Sequence, residues 1–310
     1  MKPDDLFGQV YTLGPRLGAG AFSVVHKCLN KRDGREYAVK IVDKNALVRE
    51  DRDALDNEIM IMNEISHPNI VQLAEVYRES NIYYLVMELA RGGELFERIV
   101  ERTCYTEDCA RELLRLLIVT VQYLHRSSIV HRDLKPENLL LVSEGDDCFI
   151  KIADFGFAEH ISELDCCNAA CGTPQYVSPE ILQGRHYTAT VDIWSIGVIA
   201  FVLMGGYPPF YDREKTELFR KIIRGEFEFL SPFWDHISDD AKDFICCMLV
   251  VNPERRHNAA QLLEHRWVQE TLSAQSNVHT HRLQFRMYRS KRRFRAVVSH
   301  IEKWTRIDIV

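Results

Sequence analysis

The sequence predicts an α+β fold in which a small β-rich part precedes a larger, mostly helical part. From Tyr11 to about Met87, short runs rich in β-branched and aromatic residues predominate. From about Gly92 onward, apolar residues recur at intervals of three and four. The length of 310 residues allows one large domain or two small ones.

Five β-rich runs make up the first part, and one helical stretch interrupts them. The runs are "YTLGPRLGAG", "AFSVVHKCL", "REYAVKIV", "NIVQLAEVY" and "NIYYLVMEL". The helical stretch, "RDALDNEIMIMNEI", places Leu55, Ile59, Met62 and Ile65 at helical spacing. The pattern therefore predicts five strands and one amphipathic helix.

Four stretches predict the helices of the second part: "ARELLRLLIVTVQYLH", "TATVDIWSIGVIAFVLM", "ELFRKIIRGE" and "DDAKDFICCMLV". The longest apolar run, from Ile193 to Met204, is interrupted by Ser195 and Gly197 and is too short to span a bilayer. It predicts a buried helix. Around residues 269–281 the periodicity fades and polar residues dominate, which indicates a connector.

The net charge of −6 conceals an asymmetry along the chain. Residues 281–310 contain nine Lys and Arg against Glu302 and Asp308, so this tail has a charge of +7 and the rest of the chain −13. The basic tail and the acidic body are therefore expected to attract each other.

The nine cysteines are scattered without metal-ligand spacing. They predict reduced thiols in a cytoplasmic protein, with the nucleus as a second compartment. The cluster of Cys166, Cys167 and Cys171 allows two interpretations, a redox switch or incidental thiols. The first residues, "MKPDDLFGQV", lack the apolar core of a signal peptide, and none is expected.

The stretch "LGAGAFSVV" follows a predicted strand and contains Gly18 and Gly20. Their missing side chains would let backbone N–H groups approach a polyphosphate closely. An ordinary glycine-containing hairpin turn is the alternative. Ser23 stands where a third glycine is often found, and the stretch leads into a strand, so it is not a dinucleotide-binding fingerprint.

Lys40 lies in the middle of the apolar run "YAVKIV", where burial of an unpaired ammonium group would be unfavourable. The expected anionic partners are Glu58, from "DNEIMIM", and a nucleotide phosphate. The alternative is a lysine that extends to solvent from an edge strand.

The stretch "HRDLKPENLL" brings a carboxylate, an ammonium and an amide into one short loop. Asp133 suits orientation of a hydroxyl nucleophile, Lys135 suits neutralisation of a phosphoryl group, and Asn138 suits ligation of Mg²⁺. Further along the chain, "KIADFGF" offers Asp154 as a second oxygen ligand. Together these residues indicate phosphoryl transfer.

The sequence resembles a protein kinase from Tyr11 to about Trp267. The family's motifs occur in the family's order as "GAGAFSVV", "AVK", "NEI", "HRDLKPEN", "DFG", "GTPQYVSPE", "DIWSIGV" and "NPERR". The resemblance implies a bilobal protein-kinase fold over residues 11–268. The N-lobe would cover about 11–90 and the C-lobe about 91–268, and residues 269–310 would form a connector and a basic helical regulatory segment.

The resemblance also implies roles for individual residues. Lys40, paired with Glu58, would hold the α- and β-phosphates, Lys135 would contact the γ-phosphate, and Asp133 would be the catalytic Asp. Asn138 and Asp154 would hold Mg²⁺. The nucleotide-binding residues would be Leu17, Gly18, Gly20, Val25, Ala38, Lys40, Met87, Glu88, Ala90 and Leu140. The structural residues would be Arg132, Glu180, Asp192 and Arg256, with Glu180 and Arg256 as a buried ion pair and Asp192 as the anchor of the catalytic loop.

Within the protein kinases, the sequence resembles the calcium/calmodulin-dependent Ser/Thr kinases, through "GGELFERIVER", "ACGTP" and the basic segment after the last predicted helix. Glu94 and Glu97 would lie on one face of the helix after the hinge, where a solvated helix face is the alternative. With the resemblance, they would recognise an Arg three residues before the phosphorylated Ser or Thr, since a guanidinium suits carboxylates. Thr173 would reach Asp133 from the substrate-binding segment.

The predicted activation loop departs from that of many relatives. Ala169 stands where a phosphorylated threonine is common, and Ser162 is the only hydroxyl residue of the loop. Activity is therefore expected not to depend on phosphorylation of this loop. Arg132 then lacks a phosphate partner, and the carboxylate of Glu163 or Asp165 is expected to take the place of the phosphate.

The tail, over about 283–304, predicts an autoinhibitory segment that binds calmodulin. Bulky anchors with interspersed positive charge suit the acidic, methionine-rich grooves of calmodulin. The predicted calmodulin-binding residues are Phe285, Arg292, Arg293, Phe294 and Val298, and Tyr288 with Ile301 is an alternative anchor pair. The resemblance implies that the segment blocks the active cleft until calcium-loaded calmodulin removes it. A membrane-surface helix and a nuclear-import or nucleic-acid patch are the competing interpretations.

We therefore expect a Ser/Thr protein kinase that uses ATP and Mg²⁺ on Arg-directed protein sites, with calmodulin as a partner. We expect no transmembrane segment and no nucleic-acid partner. The alternative function is a pseudokinase scaffold that binds protein partners. A scaffold would need neither Lys40 and Glu58 nor the polar groups of the predicted catalytic loop.

Overall fold

The computed structural model describes residues 6–20, 23–101, 106–143, 146–161 and 173–270. They form two compact units. The first, here called the N-lobe, comprises Met1–Gly93 and Leu140–Gly156, and the second, the C-lobe, comprises Glu94–Leu139 and the residues that follow Gly156. The N-lobe is built on β-sheet and the C-lobe is mainly helical, so the predicted α+β fold is confirmed.

The N-lobe is built on a five-stranded antiparallel sheet in the order β1-β2-β3-β5-β4. Its elements are α1 Phe7–Val10, β1 Tyr11–Ala19, β2 Ser23–Asn30, β3 Glu36–Asp43, α2 Arg49–Glu64, β4 Leu73–Arg78 and β5 Ile82–Glu88. The five predicted strands and the predicted helix are all present. β4 begins later than the run that predicted it, because Ile70 and Val71 pair instead with Ile152 of a later strand.

Helix α2 is fixed to the sheet by its apolar face. The four residues predicted at helical spacing are all buried: Leu55, Ile59, Met62 and Ile65. Leu55 and Ile59 pack with Val42 and Leu85 of the sheet. Since burial of each such side chain contributes about 1.5–3 kcal/mol, this cluster sets the orientation of the helix that carries Glu58.

The elements that follow are β6 Gly93–Glu94, α3 Leu95–Glu101, α4 Glu107–Arg126, β7 Ile129–Val130, β8 Leu139–Ser143, β9 Asp146–Ile152, β10 Glu159–His160, α5 Pro179–Leu182, α6 Thr190–Gly205, α7 Lys215–Arg224, α8 Asp239–Met248, α9 Ala259–Leu263 and α10 Arg266–Gln269. They include two small sheets, one in the order β6-β8-β9 and one that pairs β10 with β7. The segment Leu140–Gly156 belongs to the N-lobe. Hydrogen bonds of 2.8 Å join Asn69 to Ile150 and Ile152, which explains why this later segment packs with earlier strands.

Helix α6 is the buried helix that the longest apolar run predicts. Every residue from Val191 to Gly205 is buried. The hydroxyl of Ser195 donates a 2.9 Å hydrogen bond to the carbonyl oxygen of Tyr176, so this polar side chain is satisfied inside the core. A Cβ on Gly197 would lie 2.8 Å from Cβ of Met248, so this glycine permits the close approach of α8.

The four predicted helices of the C-lobe are α4, α6, α7 and α8. Two of them begin at a side-chain cap. The hydroxyl of Thr106 accepts from the N–H of Cys109 at 3.2 Å, and that of Ser238 accepts from the N–H of Ala241 at 3.1 Å. Within the residues that the structure describes, none of the helices has the length and apolarity needed to cross a membrane.

Candidate active site

Lys40 lies on β3 and is bound to Glu58 of α2. Its Nζ donates to both carboxylate oxygens of Glu58, at 2.6 and 2.9 Å. The two side chains are 18% and 4% exposed. β3 is the central strand of the sheet, so the alternative of a lysine on an edge strand is wrong. The ion pair is the first component of the predicted site.

Asp154 provides a second carboxylate near Lys40, with Oδ1 at 3.7 Å from Nζ. Burial alone would lower the pKa of Lys40, but Glu58 and Asp154 outweigh it and raise that pKa above its ordinary value. The ammonium therefore stays protonated. A fixed positive charge of this kind suits phosphate oxygens.

Gly18 lies near the end of β1, opposite Val25 of β2, and Gly20 lies at the turn between the two strands. The N–H of Gly20 donates to the carbonyl oxygen of Ser23 at 2.9 Å, which closes the hairpin. A Cβ built on Gly18 would meet nothing within 4 Å, whereas one on Gly20 would lie 2.9 Å from Oγ of Ser23. Packing within the lobe therefore does not require glycine at position 18, and the backbone there is open to a ligand.

The apolar residues predicted to contact the nucleotide lie on N-lobe strands. Ala38 of β3 is paired with Met87 of β5, and Val25 lies on β2. Leu17 of β1 is 52% exposed, and Leu140 of β8 is half-buried. A 52% exposed leucine is free to contact a ligand.

Glu88, at the end of β5, and Ala90 belong to the predicted hinge. Lys151 binds the carboxylate of Glu88 at 2.8 Å, and the N–H of Glu88 donates to the carbonyl oxygen of Gln72 at 2.9 Å. Lys151 and Glu88 line a surface cavity of 930 Å³. Among the predicted nucleotide-binding residues, only Glu88 lines it, so this cavity is distinct from the predicted nucleotide site.

The carboxylate of Asp133 is held in the C-lobe by Thr173 and Lys135, with a longer bond of 3.4 Å from Nδ2 of Asn138. Its Oδ1 accepts from the N–H and the hydroxyl of Thr173, at 3.1 and 3.0 Å. Its Oδ2 forms an ion pair of 2.7 Å with Lys135, whose Nζ also donates to the hydroxyl of Thr173 at 3.2 Å. The structure thus brings together a carboxylate, an ammonium and a hydroxyl, as needed to position a phosphoryl acceptor.

Asn138 ends a short 3₁₀ turn that begins at Pro136. Its Nδ2 donates to the carbonyl oxygen of Asp133 at 2.9 Å. This bond leaves the amide oxygen for another partner. An amide oxygen is a ligand that Mg²⁺ takes, so Asn138 keeps the group that its predicted role requires.

Asp192 of α6 is fully buried and binds the backbone of the catalytic loop. It accepts from the N–H groups of His131 and Arg132 at 3.0 and 2.9 Å, and it contacts Nε2 of His125 at 2.9 Å. Burial raises the pKa of this carboxyl, but His125 and His131 outweigh burial and lower the pKa below its ordinary value. The carboxylate therefore stays ionised and holds Arg132 in the left-handed region, with φ of 66°.

The guanidinium of Arg132 has a partner that the sequence did not predict, Glu159 of β10. Nη1 forms an ion pair with this carboxylate, and the two side chains are 10% and 41% exposed. Nε donates to the carbonyl oxygen of Phe157 at 2.6 Å, and Nη1 donates to the hydroxyl of Tyr187 at 3.0 Å. The arginine that precedes the predicted catalytic Asp therefore has a carboxylate partner within the described residues.

Arg256 and Glu180 form a bidentate ion pair in the C-lobe, with N–O distances of 2.7 and 2.9 Å. Their side chains are 0% and 3% exposed. Arg256 also donates to the carbonyl oxygens of Val250 and Thr190, both at 2.9 Å. The buried charges are thus compensated by each other and by backbone oxygens, as burial requires.

Glu94 and Glu97 do not share a helix as the sequence predicts. Glu94 belongs to β6, and only Glu97 lies on α3, where it is exposed. The reason is the turn at Gly93, whose φ of 75° precludes a helix at this position. β6 then aligns with β8, and α3 starts at Leu95.

Among the C-lobe residues that the structure describes, one group has the residue types of a metal site: Asp243, Cys247 and His265. However, Nδ1 of His265 accepts from the N–H of Trp267 at 3.2 Å, so its Nε2 carries the proton and faces Asp243 at 3.2 Å. Burial and Asp243 also raise the pKa of the Cys247 thiol. The group is therefore a hydrogen-bonded helix cap.

Several predicted residues lie outside the described residues, and their predictions stay open. In the activation loop these are Ser162, Glu163, Asp165, Cys166, Cys167, Ala169 and Cys171. In the tail they are Phe285, Tyr288, Arg292, Arg293, Phe294, Val298 and Ile301.

Comparison with known proteins identifies the family. The protein kinase domain family matches residues 11–268. A calcium/calmodulin-dependent protein kinase type 1 of Macrobrachium nipponense is 48% identical over 271 residues, which cover 87% of this chain and 78% of the relative. A protein of the same name from Caenorhabditis briggsae is 46% identical over 278 residues, or 89% of this chain and 78% of the relative. A probable myosin light chain kinase of Dictyostelium discoideum is 44% identical over 272 residues, or 87% and 69%. The chain therefore belongs to the protein kinase family, in its calcium/calmodulin-dependent type 1 branch, and is a Ser/Thr protein kinase.

Proposed function

We propose that this kinase transfers the γ-phosphate of Mg·ATP to a Ser or Thr that follows an Arg by three residues, and that calcium-loaded calmodulin relieves inhibition by its basic tail. The observation that carries the proposal is the arrangement of Asp133, Lys135 and Thr173, together with the Lys40–Glu58 ion pair. A pseudokinase scaffold would need neither arrangement.

The residues present fit Mg·ATP. Lys40 stays positively charged and would bind phosphate oxygens, while Gly18 leaves backbone open for close approach. Asn138 and Asp154 would each give Mg²⁺ one oxygen ligand. The metal, when bound, neutralises negative charge on the phosphates.

Asp133 would orient the substrate hydroxyl. Each carboxylate oxygen has about two lone-pair sites. The bonds from Thr173 and Lys135 fix the carboxylate. The fourth lone-pair site faces Nδ2 of Asn138 at 3.4 Å, a long bond that a substrate hydroxyl would replace. Lys135 would also balance negative charge on the transferring phosphoryl group. Its ammonium lies 2.7 Å from Asp133, the residue that would orient the acceptor hydroxyl, and so lies beside the place where the phosphoryl group would be received.

The preference for Arg would come from Glu94 and Glu97. Their carboxylates lie on adjoining elements, β6 and α3, and a guanidinium pairs well with carboxylates. The test measures kcat/KM for a peptide with Arg three residues before Ser and for the same peptide with Ala in place of that Arg. The ratio of the Arg value to the Ala value reports the preference for Arg. Changing Glu97→Gln should reduce the ratio of the two kcat/KM values, whereas Glu112→Gln, on α4, should leave it unchanged. An unchanged ratio in Glu94→Gln and Glu97→Gln would contradict the assignment.

Calmodulin binding is supported by the names of the relatives and by the basic, aromatic composition of residues 283–304. The test measures the initial phosphorylation rate of the full chain with and without calcium-loaded calmodulin. A low rate that rises with calmodulin supports both catalysis and inhibition by the tail. The charge reversals Arg292→Glu and Arg293→Glu should abolish the rise. A high rate in all conditions would refute inhibition by the tail, and no phosphorylation in any variant would favour the scaffold.

A further inference from the structure

Arg132 directly precedes the catalytic Asp133, and its side chain is only 10% exposed. A guanidinium in such a position needs a negative partner, because an uncompensated buried charge is strongly unfavourable. Glu159 provides that partner through its ion pair with Nη1. The guanidinium also donates to two neutral groups, the carbonyl oxygen of Phe157 and the hydroxyl of Tyr187.

The position of Glu159 is set by backbone pairing. β10 is antiparallel to β7, with Glu159 opposite Val130, and the N–H of Ile161 donates to the carbonyl oxygen of Ser128 at 2.8 Å. Val130 lies on the same short stretch of chain as Arg132. The ion pair and the strand pair therefore join the same two segments, the one after the DFG motif and the one that leads into the catalytic loop.

The ion pair between Arg132 and Glu159 leaves little need for a phosphate on the activation loop. Phosphorylation orders many activation loops by giving arginines a strong anionic partner. Here Ser162 is the only hydroxyl residue between Phe157 and Gly172, and Arg132 already has a carboxylate partner. A phosphate brought to Arg132 would also lie near Glu159, and like charges repel.

We propose that Glu159 is a positioning residue that replaces an activation-loop phosphate: its carboxylate holds Arg132, and through it Asp133, without any modification. The proposal rests on the proposed kinase function. The sequence led us to expect Glu163 or Asp165 in place of the phosphate. The proposal assigns that role to Glu159 instead, which is held in β10.

The first test uses the full chain with calcium-loaded calmodulin and measures kcat for the peptide and KM for ATP. Glu159→Gln keeps the shape and removes the charge, so kcat should fall roughly tenfold. KM for ATP should stay unchanged, since Lys40 and the glycine turn are untouched. Glu159→Asp should retain most of the activity. Glu217→Gln is the matched control, because Glu217 is 40% exposed and pairs with Arg220 at 2.7 Å.

The second test separates charge from fold. In Glu159→Ala, acetate or inorganic phosphate should restore part of kcat by binding Arg132, and sodium chloride of equal ionic strength should not. The double variant Arg132→Gln with Glu159→Ala should show no such rescue and should be no slower than Arg132→Gln alone.

Wild-type kcat in Glu159→Gln, an equal loss in Glu217→Gln, or rescue by chloride would overturn the role of Glu159. Strong activation of the unmodified chain by phosphorylation of Ser162 would overturn it as well. If the unmodified chain phosphorylates no peptide, the proposed function fails and this proposal fails with it. That result is distinguishable, because it appears before any substitution is made.

Discussion

Replacing Glu180 by Gln should destabilise the C-lobe strongly. The change leaves the guanidinium of Arg256, which is 0% exposed, without its carboxylate, while the backbone acceptors at Val250 and Thr190 stay in place. Removal of one partner from a buried ion pair costs about 3–5 kcal/mol. For a domain of this size each kcal/mol lowers the melting temperature by about 2–4 °C, so we expect a decrease of roughly 10 °C.

The control is Glu217→Gln in α7, where Arg220 and Glu217 are also 2.7 Å apart but 55% and 40% exposed. An exposed pair contributes about 0–1 kcal/mol, so this variant should melt within about 4 °C of the parent. Circular dichroism during thermal and urea unfolding measures both free-energy changes. The double variant Glu180→Leu with Arg256→Met should recover most of the loss, because apolar side chains need no charged partner. Equal effects of Glu180→Gln and Glu217→Gln would refute the argument from burial.

Three further outcomes follow from the C-lobe. Asp133→Asn keeps an oxygen that accepts from Thr173 but loses the negative charge; kcat should fall roughly 10²–10⁴-fold. The melting temperature should fall less than in Glu180→Gln, because the partner Lys135 is 22% exposed. An ADP-release assay that shows normal turnover would rule out the assigned role. Gly197→Ala introduces a Cβ 2.8 Å from Met248, so urea unfolding should show a loss of about 1–3 kcal/mol, and a neutral result would mean that α8 can shift. The pKa of Asp192 is lower in the folded protein than its ordinary 3.8. The ionised carboxylate therefore stabilises the folded state fully above pH 3.8, and this stabilisation is lost as the pH falls through the lowered pKa. Asp192→Asn should therefore flatten the dependence of unfolding free energy on pH below about 4, and an unchanged slope would contradict this.

The residues of the candidate site could be named from the sequence because they lie in short contiguous motifs. Asp133, Lys135 and Asn138 fall within one loop, and the turn at Pro136 brings them together almost regardless of the rest of the fold. The strands and long helices were likewise predictable, since their apolar periodicity extends over several turns or pleats.

The missed features depend on distant pairing or on very short elements. Glu159 reaches Arg132 only because β7 and β10, of two residues each, are in register, and two residues carry no periodic signal. His125 meets Asp192 across 67 residues of chain, which no local pattern reveals. Helices α5, α9 and α10 have only four or five residues, too few for an amphipathic pattern.

Two residues of the predicted site, Arg132 and Asp154, have left-handed backbones, with φ of 66° and 60°. Such a conformation costs an ordinary residue roughly 1–2 kcal/mol and costs glycine almost nothing. Glycine at either position would thus relax the backbone while removing a charge on which the proposed chemistry depends. At Asp154, whose side chain is 47% exposed, a library of variants sorted by heat resistance alone would be drawn toward glycine and away from turnover. Directed evolution of this kinase should therefore screen for activity in every round.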